Sequence, residues 1–281
     1  RTFEPARKLA TVPETDLGHL IHGGFSQAET FGTLAVDRAG GVHVYWLDTR
    51  FMDDAGDTAA LVSVHSTDDG RTFGPERVLL KTGMCPCCQL AATLGEGNAL
   101  FLGIRYVEDG NRDSHVMRSD DGGLTFGAPV RIGGDLRWKI DGCPLKPTVV
   151  AVQGSRVYAA AFNGATEKTG VRFAASTDGG RTFGAFEPVH PEAAVSDYPA
   201  VVALRGDTVR VFWHGKAGED PARAVFGTVS HDGGRTFAPV ERLVAGVGVG
   251  YPNAIALPSG TAALAYVSGG RIHLRTLPGA P

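Results

Sequence analysis

The pattern Ser-x-Asp-x-Gly-x-Thr-Phe is written four times in this chain, at residues 66–73, 119–126, 176–183 and 230–237. The copies begin 53, 57 and 54 residues apart. Near-constant recurrence of one short pattern marks a repeat architecture, in which each unit buries its apolar face against its neighbours.

The residue types say what each copy does. Asp accepts hydrogen bonds from backbone amides a few residues on, and Gly enters the left-handed region without a Cβ clash. Thr and Phe then lead the chain back into a strand, with the Phe available for packing. Each copy reads as a tight turn joining two antiparallel strands. This resembles the Asp-box, or bacterial neuraminidase repeat, of the sialidase-like β-propellers. The motif is structural and by itself specifies no chemistry.

Between boxes the same order returns: an apolar run, a polar turn, a second apolar run, a loop, and a strand entering the next box. In the first unit these are residues 33–36, 37–41, 42–46, 48–56 and 60–65. Later units begin at Gln89, Pro147, Pro199 and Pro252. Short strands of about 4–6 residues at even spacing predict an all-β propeller of four-stranded antiparallel blades. The last unit, residues 262–274, has no box, while Arg1-Thr2-Phe3-Glu4-Pro5 matches Arg71-Thr72-Phe73-Gly74-Pro75. The expectation is a single domain over residues 1–281 with five blades, the N-terminal strand completing the C-terminal blade and leaving no bare sheet edge. Six blades, the number in familiar sialidases, is the alternative.

A hydrophobic content of 43% over 281 residues is enough for one large closed core. Net charge is −3 with no basic run, which excludes a nucleic-acid footprint. No stretch of 18 apolar residues suggests a membrane span. Family habit points to an exported, periplasmic or secreted protein, although residues 1–30 show no signal-peptide pattern.

Alternating strands place every box on one face; the resemblance implies a binding site at the opposite end of the central channel, where propellers generally bind. Residues just before a first strand or just after a second strand gather there. They include His19 and His22, Met84-Cys85-Pro86-Cys87-Cys88, Cys143, Asp197-Tyr198 and Tyr251, with Asp48, Arg50, Arg105, Asn163 and His214. All four cysteines of the chain belong to this set.

Three readings follow. Clustered thiolates are soft ligands, so Cys85, Cys87, Cys88 and Cys143, helped by Met84, His19 or His22, predict a thiophilic metal site for metal handling or redox chemistry. Copper is the first choice and zinc the alternative. The sialidase resemblance implies instead a glycan pocket or glycoside hydrolase, which here draws on Asp48, Arg50, Arg105, Tyr198, His214 and Tyr251. Members of that class hold the substrate carboxylate with three arginines and use a Tyr nucleophile. This chain has no Arg-Ile-Pro motif near its start and no matching Tyr-Glu arrangement. The third reading needs no cofactor: the cysteines form disulfides that staple neighbouring blades of a protein-interaction scaffold. The ligand is a metal ion or small molecule in the first two cases. His43, His65 and His273 lie within strand patterns and read as surface or packing residues.

Overall fold

The computed structural model describes residues 5–10, 29–52, 58–134, 136–142, 144–165, 169–218, 220 and 222–279. Among them there are strands, turns and loops but no helix, and so no helix long and apolar enough to cross a membrane.

The strands fall into five consecutive groups, each ordered in space as in sequence. The first holds β1 (Glu29–Val36), β2 (Val42–Asp48), β3 (Ala59–Ser66) and β4 (Arg77–Met84). The second holds β5 (Ala91–Leu94), β6 (Leu100–Glu108), β7 (Asn111–Ser119) and β8 (Val130–Arg131). In the third are β9 (Thr148–Gln153), β10 (Arg156–Asn163), β11 (Gly170–Ser176) and β12 (Glu187–Pro188). The fourth contains β13 (Ala193–Leu204), β14 (Thr208–Ala217), β15 (Ala224–Ser230) and β16 (Glu241–Ala245), and the fifth β17 (Gly250–Ala256), β18 (Ala262–Ser268) and β19 (Arg271–Leu277). Every pairing is antiparallel, and one bridge, Met84 to Tyr106, links the first two groups.

Each box folds as its residue types demand. Ser66 Oγ donates to Asp68 Oδ1 (2.7 Å) and accepts from the Gly70 amide (2.9 Å), while the amide and hydroxyl of Thr72 donate to the same carboxylate at 2.8 and 2.6 Å. The other three copies repeat the pattern through Asp121, Asp178 and Asp232. Gly70, Gly123, Gly180 and Gly234 all take φ near +80° (80° to 86°), the conformation that glycine alone adopts without strain.

The core lies between groups. Tyr45, Leu47 and Leu61 of the first meet Leu100, Leu102 and Ile104 of the second. Phe101 and Val116 meet Val150 and Val157, Tyr158 and Phe173 meet Val211 and Trp213, and Val202 and Phe212 meet Leu264 and Leu277. Middle strands such as β10 are therefore covered on both faces and read as continuous apolar runs. The box phenylalanines fasten these interfaces: Phe126 packs edge-on against Tyr45 of the preceding group (5.8 Å), and Phe237 against Phe173 (5.1 Å).

Strand beginnings differ from the sequence expectation. β1 starts at Glu29 rather than Thr33, and β13 at Ala193, ahead of Pro199. Both extensions cross a bulge, between Thr30 and Thr33 and between Asp197 and Ala200. Proline lacks a ladder donor and is tolerated at such an irregularity, so it marks the bulge and not the strand end.

Residues 1–4, proposed to close the last group, lie outside the described residues. Residues 5–10 run along the first group, where Arg7 donates to the carbonyls of Arg71 (2.6 Å) and Gly70 (2.8 Å) and its guanidinium covers Phe73. Leu9 and Ala10 pack on Trp46, Ala60, Val62 and Val64. β19 has no fourth partner among the described residues, and Ile272 and Leu274 on it are 78% and 79% exposed. The first strands of all five groups line a single central cavity of about 370 Å³.

Candidate functional site

Antiparallel alternation puts the boxes at one end of every sheet, so the chain enters each first strand at the other end, around the cavity mouth. Four of these entrances carry a non-glycine residue in left-handed backbone: Phe31 (φ 49°), Leu145 (55°), Tyr198 (51°) and Tyr251 (53°). For bulky residues that conformation costs on the order of 1–3 kcal/mol and gathers at functional sites. In β13 and β17 the strained tyrosine stands immediately before a bulge proline, Pro199 or Pro252. The two rings meet edge to face with centroids 5.0 Å apart. Tyr198 lines the cavity, and Tyr251 is 59% exposed.

A polar set surrounds the pair. His214 at the end of β14 stacks beside Tyr198 (5.8 Å), and its Nδ1 accepts the Tyr251 amide at 2.9 Å. That bond leaves the ring proton on Nε2, which faces the Asp197 carboxylate at 3.9 Å. Asp197 forms an ion pair with Lys146. Burial alone pushes this carboxyl up, but His214 and Lys146 outweigh it and hold the group below the ordinary value. The Tyr198 hydroxyl donates to Gln89 Oε1, while burial raises its pKa, so it stays a neutral donor.

Gln89 joins this set to the cysteines. Cys85, Cys87 and Cys88 are 0%, 0% and 1% exposed, with sulfurs all within 4.8 Å of one another. The Cys88 amide bonds to the Cys85 carbonyl at 3.4 Å, closing a turn that turns the three side chains inward together. Cys85 and Cys88 are free thiols, whereas Cys87 is disulfide-bonded, its sulfur 3.7 Å from that of Cys85. The Cys85 thiol is lowered to about 6 by its hydrogen bond with Cys88 and by the Arg112 guanidinium, whose Nη1 lies 3.5 Å from the sulfur. Burial drives the Cys88 thiol well up. The hydrogen bond and the Arg112 guanidinium thus favour negative charge at Cys85, and burial disfavours it at Cys88.

Two arginines anticipated for the mouth are occupied elsewhere. Arg50 engages Asp48 through Nε (2.8 Å) and Nη2 (2.6 Å) and Glu76 through Nη2 (2.8 Å). Asp48 is wholly buried and also accepts from Trp46 Nε1. Arg105 is 1% exposed, lies over the Trp138 ring, and donates to the carbonyls of Arg112 (2.7 Å) and Phe162 (3.0 Å). Neither offers a free two-pronged donor to a ligand carboxylate. Met84 is buried in the apolar cluster between the first two groups. His19, His22 and Cys143 lie outside the described residues.

The box geometry, repeated hairpin by hairpin, agrees with a profile match: the profile of the BNR repeat-like domain matches residues 1–267. The chain belongs to the BNR repeat-like family. No curated protein matches it. Among solved structures, a protein of unknown function from Dyadobacter fermentans superposes with a TM-score of 0.64 at 18% identity, over 90% of this chain and 79% of that one. Hadza microbial sialidase Hz136 gives 0.60 at 18%, over 98% and 57%, so this BNR chain spans little more than half of that enzyme. Penicillium chrysogenum α-L-arabinanase, solved with arabinobiose, gives 0.59 at 14%, over 88% and 78%. At these identities the likeness is one of fold.

Three residues of the BNR chain's mouth were not singled out from sequence: Lys146, Gln89 and Arg112. A signal existed for the first. Lys146 precedes Pro147 as Tyr198 precedes Pro199 and Tyr251 precedes Pro252, so aligning units on this proline brings it into the set. Arg112 approaches Cys85 through the pairing of β6 with β7, which no local pattern announces.

Proposed function

We propose that this BNR repeat-like chain binds a carbohydrate at the mouth of its central cavity. The carrying observation is the Tyr198–Tyr251 pair, held by two left-handed backbone positions over the cavity. An aromatic platform accepts the apolar face of a sugar ring, and flanking Gln89, Lys146, Asp197 and His214 supply donors and acceptors for its hydroxyls. The sialidase and arabinanase among its structural neighbours support the ligand class. With Arg50 and Arg105 committed to internal partners, binding is favoured over sialidase-type hydrolysis. Calorimetric titration with neutral arabino-oligosaccharides and with a sialylated sugar tests this. Binding of one class, weakened at least tenfold by Tyr251→Ala, supports it; no saccharide binding, or binding indifferent to Tyr251→Ala, rejects it.

A second reading rests on the buried sulfur cluster. Cys85 and Cys88 are a thiol pair suited to a thiophilic ion, copper(I) before zinc, with Arg105 and Arg112 offsetting the negative charge of a dithiolate complex. Cys87 adds a third sulfur once its disulfide is reduced, and Met84, His19 and His22 are the further donors considered. Four cysteines with two free leave Cys143 as the proposed partner of Cys87, a staple suited to an exported, periplasmic or secreted protein. Elemental analysis with a thiol count under denaturing conditions separates the cases. About one copper per chain, lost in Cys85→Ser, supports the site; no metal after anaerobic Cu(I) loading rejects it.

The architecture that serves either reading is a single domain of five propeller blades, the strand at the N-terminus completing the fifth. The support is the shared cavity lined by five first strands, the outer side of β19, which no strand among the described residues covers, and residues 5–10 on the flank of the first blade.

A further inference from the structure

At the box end of the first blade, away from the cavity mouth, three ligand-type side chains converge: Asp37, His43 and His65. His43 and His65 stand directly opposite one another on β2 and β3, so both side chains leave the same face of the sheet. Their rings stack with centroids 4.2 Å apart and planes 13° from parallel. Asp37 lies in the turn from β1 to β2, where its Oδ1 accepts the amides of Ala39 and Gly41, each at 2.8 Å. The carboxylate is thereby fixed with Oδ2 at 3.1 Å from His43 Nε2. One ligand atom from each residue lies within 4.8 Å of the other two.

The internal bonding stops short of satisfying this group. His43 is 2% exposed, and among the described residues its Nδ1 has no hydrogen-bond partner; nor has the buried Nε2 of His65. A buried polar atom left unpaired costs about 1–3 kcal/mol. The His43 ring is also confined: a Cβ built on Gly123 of the next blade would lie 3.2 Å from His43 Nδ1, so a glycine backbone closes that side. Two imidazoles on one sheet face, with a carboxylate already oriented by backbone amides, form a donor set that ordinary packing does not require.

We propose that Asp37 Oδ2, His43 Nε2 and a ring nitrogen of His65 bind a divalent cation of the borderline class, zinc foremost. Mixed imidazole and carboxylate donors suit that class, whereas the thiols at the opposite end suit softer ions. Coordination at about 2.0–2.2 Å requires the three atoms to draw together and the stacked rings to turn out of parallel, because each imidazole lone pair lies in its ring plane. As the ion takes His43 Nε2, the ring proton shared with Asp37 moves to Nδ1, so the imidazole binds in its neutral form. The side chain of Asp37 is 32% exposed, leaving a fourth position for water. The ion would tie the first turn of the blade to its two middle strands.

The test uses the full chain stripped with chelator, titrated calorimetrically with Zn(II) and optically with Co(II). The expected result is one equivalent per chain, tetrahedral Co(II) bands without a sulfur charge-transfer band, and a higher melting temperature with zinc. His65→Gln and Asp37→Asn, both at partly exposed positions, should each weaken binding at least thirtyfold, and the Cys85→Ser/Cys88→Ser double variant should leave it unchanged. Absence of stoichiometric binding overturns the assignment. So does binding that survives His65→Gln or that vanishes in the cysteine double variant.

Discussion

At the residue scale, one aspartate per box carries the hairpin. Asp68, Asp178 and Asp232 each accept from a Thr hydroxyl, a Thr amide and a Ser hydroxyl, which holds them well below the usual carboxylate range. A depressed carboxylate contributes stability that is full above its unfolded pKa, about 3.9, and is lost as pH falls through the folded value. Asp232→Asn should therefore lower the melting temperature at pH 7, and the gap from the unaltered protein should narrow below about pH 4. A gap of the same size at pH 3 and pH 7 would contradict it. His115 works higher on the scale. Burial, reinforced by Arg131 and Arg105, lowers its pKa to about 4. The unfolded chain takes up this proton near pH 6.5, so stability should fall between pH 6.5 and 4 by on the order of 3 kcal/mol. Urea unfolding at pH 7 and pH 4.5 measures the fall, and His115→Gln should remove most of it. The boxes were legible in sequence because their hydrogen bonds span at most four residues. The Lys146–Asp197 pair and the Arg112–Cys85 contact were not, because each joins residues that meet only when separate strands come together.

At the element scale, what matters is how one blade fastens to the next. Phe126 and Phe237 insert against the group before their own, at Tyr45 and Phe173, whereas Phe73 packs within the first group and beneath Arg7. Phe237→Ala should destabilise the protein by about 1–2 kcal/mol, since the ring is only partly buried. Denaturant unfolding should show this as a lower midpoint with an unchanged slope; no change would mean the boxes turn the chain without fastening blades. Strand existence was readable from apolar runs between turn signals, but strand beginnings were not. The sequence pattern alone puts Pro147, Pro199 and Pro252 at the openings of their strands. Pro199 and Pro252 instead occupy bulges inside longer strands, and that displacement is what lifts Tyr198 and Tyr251 into left-handed backbone. The same cross-strand registration hid the His43–His65 pair, 22 residues apart in sequence and stacked in space.

At the scale of the whole molecule, five first strands share one cavity, while among the described residues β19 has a strand on one side only, with Ile272 and Leu274 exposed. If an N-terminal strand completes the fifth blade, outward amides of β19 should be protected in hydrogen exchange. Removing residues 1–10 should abolish that protection and also uncover Trp46 and Val62. Fast exchange along β19 in the intact chain would argue against closure. The two ends of the cavity are chemically distinct, with the tyrosines at the mouth, the buried thiols next to Gln89 in the chain, and box hairpins at the other end. The most direct test of the mouth as a carbohydrate site is to titrate the protein with oligosaccharides while following Tyr198 and Tyr251 by NMR. Saturable shifts confined to the mouth, abolished by Tyr251→Ala and untouched by Cys85→Ser, are the expected result. Shifts absent with every sugar tried, or present only at the sulfur cluster on adding Cu(I), would contradict the carbohydrate reading and give the site to the metal.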